Sequence, residues 1–126
     1  MTEPIYFDGF SLPVSDLARS VEFYCRLGFK AEPTHLSAFA LLRLGEGTIG
    51  LLKAKLPEGA KERRNIHIEL STDHLDDLYQ EFLAQGIPVD KPPHDEPWER
   101  SMAIIDPDGY TVEIAQGRRG QSSPSQ

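Results

Sequence analysis

The sequence predicts an α+β fold made of two tandem βαβββ modules. Three observations predict it. A stretch that alternates and then turns helical occurs twice, as "GFSLPVSDLARSVEFYCRLG" at 9–28 and "HIELSTDHLDDLYQEFLAQG" at 67–86. The two copies keep one register: Leu17 lines up with Leu75, Val21 with Tyr79, Tyr24 with Phe82, Gly28 with Gly86 and Gly9 with His67, each pair 58 residues apart. Short strand-like runs follow each helical stretch, so the whole plan repeats.

Taken in order, Phe10, Leu12 and Val14 alternate with Ser11 and Pro13, the period of a strand with one buried face. Ser15 and Asp16 are good N-cap residues. Leu17, Val21, Tyr24 and Leu27 then recur at helical spacing, and Gly28 can close the helix. Cys25 falls within this stretch and reads as a small core residue. "FKAEPTH", "AFALLRL" and "TIGLLKA" follow as strands, with "GEG" as a tight turn before the last. "KLPEGAKERR", 55–64, reads as a solvated linker between modules 5–54 and 65–116. In the second module His67 and Glu69 alternate with Ile68 and Leu70. Thr72 and Asp73 can cap, and Leu75, Leu78, Tyr79, Phe82 and Leu83 form the helical stripe. "IPVDK", "RSMAIID" and "YTVEIAQ" read as strands, with "DPDG" as the turn between the last two. Residues 117–126, small and polar, are expected to be a disordered tail.

At 126 residues there is room for one domain with a real core. The net charge of −7 argues against nucleic acid and against anionic membranes as partners, since both need a basic surface. A single cysteine rules out an intramolecular disulfide and fits a cytoplasmic setting. "MTEPIYFDGF" lacks the basic and apolar regions of a signal peptide, and no apolar run approaches the length of a membrane span. Gly-rich phosphate loops, Cys–His zinc spacing and nucleophile elbows are also missing from the sequence.

Two segments carry a family resemblance: "LPVSDLARSVEFYCRLGFK" at 12–30 and "PWERSMAIIDPDGYTVEIAQ" at 97–116, with its DPDG-x-x-hydrophobic-Glu ending. Together with the duplication they resemble the vicinal oxygen chelate superfamily, which includes glyoxalase I, bleomycin-resistance and fosfomycin-resistance proteins and extradiol dioxygenases. The resemblance implies an incomplete barrel of two modules around a cleft. It also implies four cleft-facing positions that hold a metal in the metal-dependent members. Mapped onto this chain, these fall on Gly9, Leu51, His67 and Glu113. Only His67 and Glu113 are ligand types, whereas a catalytic zinc usually takes three protein ligands. The expectation is therefore no metal cofactor. A divalent ion, if one binds, would be held by His67 and Glu113, with Glu69 as a candidate third ligand on the same strand face.

The residues expected to bind a ligand are His67, Glu69, Glu113, Trp98, Leu51, Phe39, Arg43 and Arg100. His67 reads as a metal ligand, a general base or a polar cleft residue hydrogen-bonded to Glu113. Trp98 beside Pro97 either caps the core or stacks on a flat guest at the cleft mouth, kept negative by Asp95, Glu96 and Glu99. Phe39, Leu41 and Arg43 share one strand face. Arg100 opens a later strand. Tyr6 and Phe7 are expected to pack at the N-terminus or in a dimer seam, and His35 and His94 fall in loop-like stretches. The resemblance favours a metal-free homodimer that sequesters a small cationic or aromatic molecule, antibiotics included. The alternative is a metal-dependent lyase, isomerase or dioxygenase.

Overall fold

Alternation at the first strand survives into the fold with one change. In the computed structural model, which describes residues 4–33, 37–59 and 61–117, β1 (Phe10–Val14) buries Leu12 and Val14. Phe10, expected beside them, is 47% exposed at the strand's open end. Asp16 caps α1 (Leu17–Arg26) by accepting a hydrogen bond from the Arg19 amide at 3.1 Å. The helix buries Ser20 and Tyr24, and Tyr24 meets the Phe29 ring edge-on. Cys25 is exposed, not core as the sequence implied: one residue past Tyr24 turns it about 100° off the buried stripe. Three strands complete this unit: β2 (Lys30–Ala31), β3 (Phe39–Leu44) and β4 (Gly47–Lys53). The expected strand at 29–35 thus shrinks to two residues, and His35 lies outside the described residues. Sheet order is β1-β4-β3-β2, with β1 and β4 parallel and the rest antiparallel.

The chain divides into two compact units, Met1–Gly59 and Ala60–Gln126. The second repeats the plan with β5 (His67–Thr72), α2 (Leu75–Ala84), β6 (Lys91–Asp95), β7 (Arg100–Ile105) and β8 (Thr111–Gln116), in sheet order β5-β8-β7-β6. Each unit is thus an open four-stranded mixed sheet with one helix, the α+β class predicted. Ile68, Met102, Ile104, Val112 and Ile114 form the buried face of the second sheet, and Leu75 and Phe82 of α2 are buried with them. Leu83, counted in the helical stripe, is 50% exposed.

Three local features differ from the sequence reading. Thr72 and Asp73 do not cap α2. The Gln116 side chain does, accepting from the Leu75 amide at 2.8 Å while donating to the Asp73 carbonyl. The end of β8 therefore fixes the start of α2, and Gly117 is held by its amide to the Thr72 carbonyl at 2.7 Å. Second, the strand expected at 87–91 starts only at Lys91, because Ile87 turns inward (5% exposed) and Pro88 has no N–H to offer a ladder. Third, the far end of the expected linker is structured. Lys61–Asn65 forms a 3-10 helix, and Arg63 donates to the Asp108 carbonyl in the DPDG turn. In that turn the Asp106 carboxylate accepts from the amides of Asp108 (2.9 Å) and Tyr110 (3.0 Å). Burial and the Asp106 charge raise the pKa of the Tyr110 phenol above its ordinary value.

Candidate functional site

The parallel ladder between β5 and β8 sets His67 beside Thr111 and Glu69 beside Glu113, with all four on the sheet face opposite the apolar core. His67 Nδ1 lies 3.6 Å from Glu69 Oε2 and 3.9 Å from Glu113 Oε2. These are ion-pair distances, too long for the hydrogen bond to Glu113 that the sequence suggested. The donor atoms of the three side chains all lie within 4.8 Å of one another. His67 and Glu69 are about two-fifths exposed, and Glu113 is 25% exposed.

A pocket of about 330 Å³ opens beside this cluster, lined entirely by residues of the second unit. Its floor is made of small residues of β7, where Ser101 is 2% and Ala103 6% exposed. β6 forms one wall through a bulge. Lys91 pairs with Ala103 and His94 with Ser101, so three residue steps on β6 match two on β7. The extra residue, at Pro92–Pro93, resets the alternation and puts Lys91 and His94 on the same face. Two prolines are tolerated here because β6 is an edge strand. His94 is thus a strand residue held at both ring nitrogens: Nδ1 sits 2.9 Å from the Pro92 carbonyl and Nε2 3.1 Å from Glu96 Oε1.

Between β6 and β7 the chain reverses tightly, and Glu96 and Glu99 exchange backbone hydrogen bonds of 2.7 and 3.3 Å. Pro97 and Trp98 form the tip. The indole is 75% exposed and does not cap the core, although Trp98 lines the pocket mouth. Glu99 turns back into the pocket. Burial is the largest cause of a raised pKa there, followed by the Glu113 charge and the hydrogen bond between the two side chains; a hydrogen bond from Trp98 acts the other way.

Of the residues expected to bind a ligand, His67, Glu113 and Trp98 line this pocket, and Glu69 lies beside it in the cluster. Arg100 does not line it. Its guanidinium points to the other side of β7 and donates to Asp76 of α2 (3.2 and 2.9 Å) and to Asp95 (3.1 Å). Leu51, Phe39 and Arg43 belong to the first unit. There Arg43 Nε pairs with Glu32 at 2.8 Å and Leu51 is completely buried. Periodicity did not place Lys91 and His94, since the bulge resets the alternation on β6, nor Ser101 and Ala103, since β7 is buried on both faces from Ser101 to Ile104. The Pro-Pro pair was the available signal. Tyr6 and Phe7 are 77% and 86% exposed and do not pack within the chain.

Residues 6–114 match the family model described as the Glyoxalase/Bleomycin resistance protein/Dioxygenase superfamily. The chain belongs to this superfamily. Bleomycin resistance proteins of Geobacillus stearothermophilus and Staphylococcus aureus are 31% identical to it over 124 residues, covering 84% of this chain and 92% of theirs. Among solved structures, a glyoxalase/bleomycin resistance protein/dioxygenase from Nocardioides aligns with a TM-score of 0.73 at 24% identity, over 99% of this chain and 91% of that one. A bleomycin-binding protein complexed with bleomycin aligns with a TM-score of 0.70 at 21% identity, over 90% of this chain and 100% of that one.

Membership in the glyoxalase/bleomycin-resistance superfamily makes the first unit's counterparts of the cluster worth locating, and the ladders correct one of them. Ser11 occupies the place of Glu69 in the repeat, and Ser11 pairs with Gly50. The counterpart of Glu113 is therefore Gly50, not Leu51, which pairs with Leu12 and Ala40 on the buried face. The position that the resemblance maps onto Leu51 is thus off by one residue, and one residue reverses the face of a strand. Gly50 is overlaid by its neighbours: an added Cβ would lie 2.6 Å from Ser11 Oγ and 2.9 Å from the Phe39 ring. Gly9, the counterpart of His67, has φ +130°, and an added Cβ would strike the Thr48 carbonyl oxygen. Neither position offers a ligand.

A divalent ion, which members of this superfamily often bind, fits the second unit's cluster in donor chemistry. His67 Nδ1 and one oxygen each from Glu69 and Glu113 would hold it, and it would supply Lewis acidity to a bound oxygen. The spacing is loose, since tetrahedral ligands about 2.0 Å from zinc sit roughly 3.3 Å apart.

Proposed function

We propose that this chain is a metal-free binding protein of the bleomycin-resistance type. It holds a small, flat and partly cationic molecule and acts by sequestration in the cytoplasm. The observation that carries the reading is the pocket wall, which the exposed Trp98 ring shares with the hydrogen-bonded Glu99–Glu113 pair. An indole face and two carboxyl groups recognise the two halves of an aromatic cation, the ring by stacking and the charge by ion pairing. Similarity to bleomycin resistance proteins supports the same class of ligand. The exposed Ile5, Tyr6 and Phe7 are consistent with a homodimer, which light scattering would detect as twice the 14.1 kDa chain mass.

Trp98 is the only tryptophan, so its fluorescence reports directly on the site. Bleomycin added to the wild-type protein is expected to quench it saturably. Calorimetry should show the affinity falling on the order of tenfold or more in Trp98→Ala. Bleomycin and simple aromatic amines that all fail to bind would refute the reading. The rival, a metal-dependent lyase, isomerase or dioxygenase, draws on the His67–Glu69–Glu113 cluster. Stoichiometric metal in the purified protein, lost in His67→Ala, would overturn the metal-free reading, and turnover of a substrate that depends on that metal would favour the rival.

A further inference from the structure

The pocket's charged groups are nearly all committed to one another. Asp90 Oδ1 faces Arg64 Nη1 at 3.8 Å, Glu96 holds His94 at 3.1 Å, and Glu99 and Glu113 share a hydrogen bond. Lys91 is the exception. It lines the same pocket, in a chain of net charge −7, yet no described residue forms an ion pair or hydrogen bond with its ammonium group.

Its placement is built in. The Pro92–Pro93 bulge turns Lys91 and His94 to one face, and Lys91 pairs with Ala103, which pairs in turn with Glu113. Lys91, Ala103 and Glu113 thus form one row across β6, β7 and β8. Neighbouring strands lie about 4.8 Å apart, so the two charged residues start roughly 10 Å from each other. The small side chain of Ala103 leaves the floor between them open.

We propose that this pocket selects ligands carrying an anionic group opposite their cationic end, and that Lys91 is the specificity-determining residue that receives the anion. The ligand class is an aromatic zwitterion, with a carboxylate or similar anion toward Lys91 and an amine toward Glu99 and Glu113. The inference rests on the binding function proposed above and narrows it, because a purely cationic guest would leave the Lys91 end unmatched. An unpaired ammonium at the wall costs a cation and favours an anion, so it discriminates by repulsion as well as attraction.

Three isosteric probes test this: 4-methylbenzylamine, which carries only the cation, 4-methylbenzoate, which carries only the anion, and 4-(aminomethyl)benzoate, which carries both. Binding is read by Trp98 fluorescence and confirmed by NMR shifts, in the wild-type protein and in Lys91→Met, which keeps most of the stem and removes the charge. The wild-type protein is expected to bind the zwitterion about five- to tenfold more tightly than 4-methylbenzylamine, the benefit of one charge-assisted contact at a part-exposed site. In Lys91→Met that preference should vanish, while 4-methylbenzylamine binds as well as before or better. Equal affinities in the wild-type protein, or a preference that survives Lys91→Met, would overturn the assignment of Lys91 and leave the binding function standing. No binding by any of the three, nor by bleomycin, would overturn both.

Discussion

Glu69 and Glu113 stand directly opposite each other in the parallel ladder of β5 and β8, with His67 Nδ1 3.6 and 3.9 Å from them. Two like charges facing across strands repel, and a cation bound between them relieves that. The first unit places Ser11 and Gly50 at the same ladder positions and carries no such charge. The cluster is thus a feature of one module alone, and its chemistry depends on what occupies the space beside His67.

Zinc is expected to bind this cluster more weakly than a structural four-ligand site, because only three protein donors lie together, they are spread up to 4.8 Å apart, and water must fill the rest of the shell. Calorimetric titration of the metal-stripped protein checks this. His67→Ala should abolish the binding, and Glu69→Gln should weaken it, which no arrangement using only His67 and Glu113 would predict.

Ala103 forms the pocket floor, 6% exposed, between Lys91 and Glu113. Ala103→Leu pushes a branched side chain into the space a ligand would fill. Affinity for aromatic amines is expected to fall by about tenfold or more, with a stability cost of at most roughly 1–3 kcal/mol. Denaturant unfolding beside the binding titration separates the two effects.

Glu99 should make stability depend on pH. Its pKa is raised in the fold, chiefly by burial and then by Glu113. The folded state therefore holds a proton that the unfolded state has lost between the two pKa values. Stability is full below the unfolded carboxylate pKa and declines as pH rises through the higher folded one. Glu99→Gln keeps a neutral side chain at every pH. Thermal melts should show the variant more stable than wild type at neutral pH, with the difference shrinking as pH falls into the carboxylate range.

Arg100 gives the opposite dependence. Its hydrogen bonds hold the Asp76 carboxylate below its ordinary pKa. A depressed acid contributes stability above its unfolded pKa and loses it as pH falls through the folded value. Arg100→Met is expected to lower the melting temperature at neutral pH, less so in high salt because the pair is exposed, and not to change ligand affinity. A loss of affinity would return Arg100 to the binding role that the sequence assigned it.

Period-two alternation and helical spacing are local properties, and they disclosed both modules, the helix faces apart from Cys25 and Leu83, and the pairing of His67 with Glu69 on one face. What the sequence concealed is non-local. The bulge at Pro92–Pro93 exists only relative to β7, so the aim of Lys91 and His94 could not be read from β6 alone. The Gln116 cap joins residues 41 apart in the chain. Trp98 was legible as a mouth residue or as a core cap, and only the tight reversal between Glu96 and Glu99 decides for the mouth.

Leu51 and Gly50 put the largest discrepancy to a direct test. The family resemblance placed Leu51 at a cleft-facing position and among the residues expected to bind a ligand. The ladder instead puts it on the buried face of the first unit, 0% exposed, with Gly50 in the matching place. Leu51→Ala should behave as a core truncation, costing about 2–5 kcal/mol without a matching change in ligand affinity. Gly50→Ala should cost less, roughly 1–3 kcal/mol, because its new methyl meets the movable ends of Ser11 and Phe39 rather than backbone. If that crowding is the cause, Phe39→Ala should be less damaging in the Gly50→Ala background than alone, a coupling that a double-mutant cycle measures. A Leu51→Ala protein of unchanged stability and weakened binding would restore Leu51 to that position.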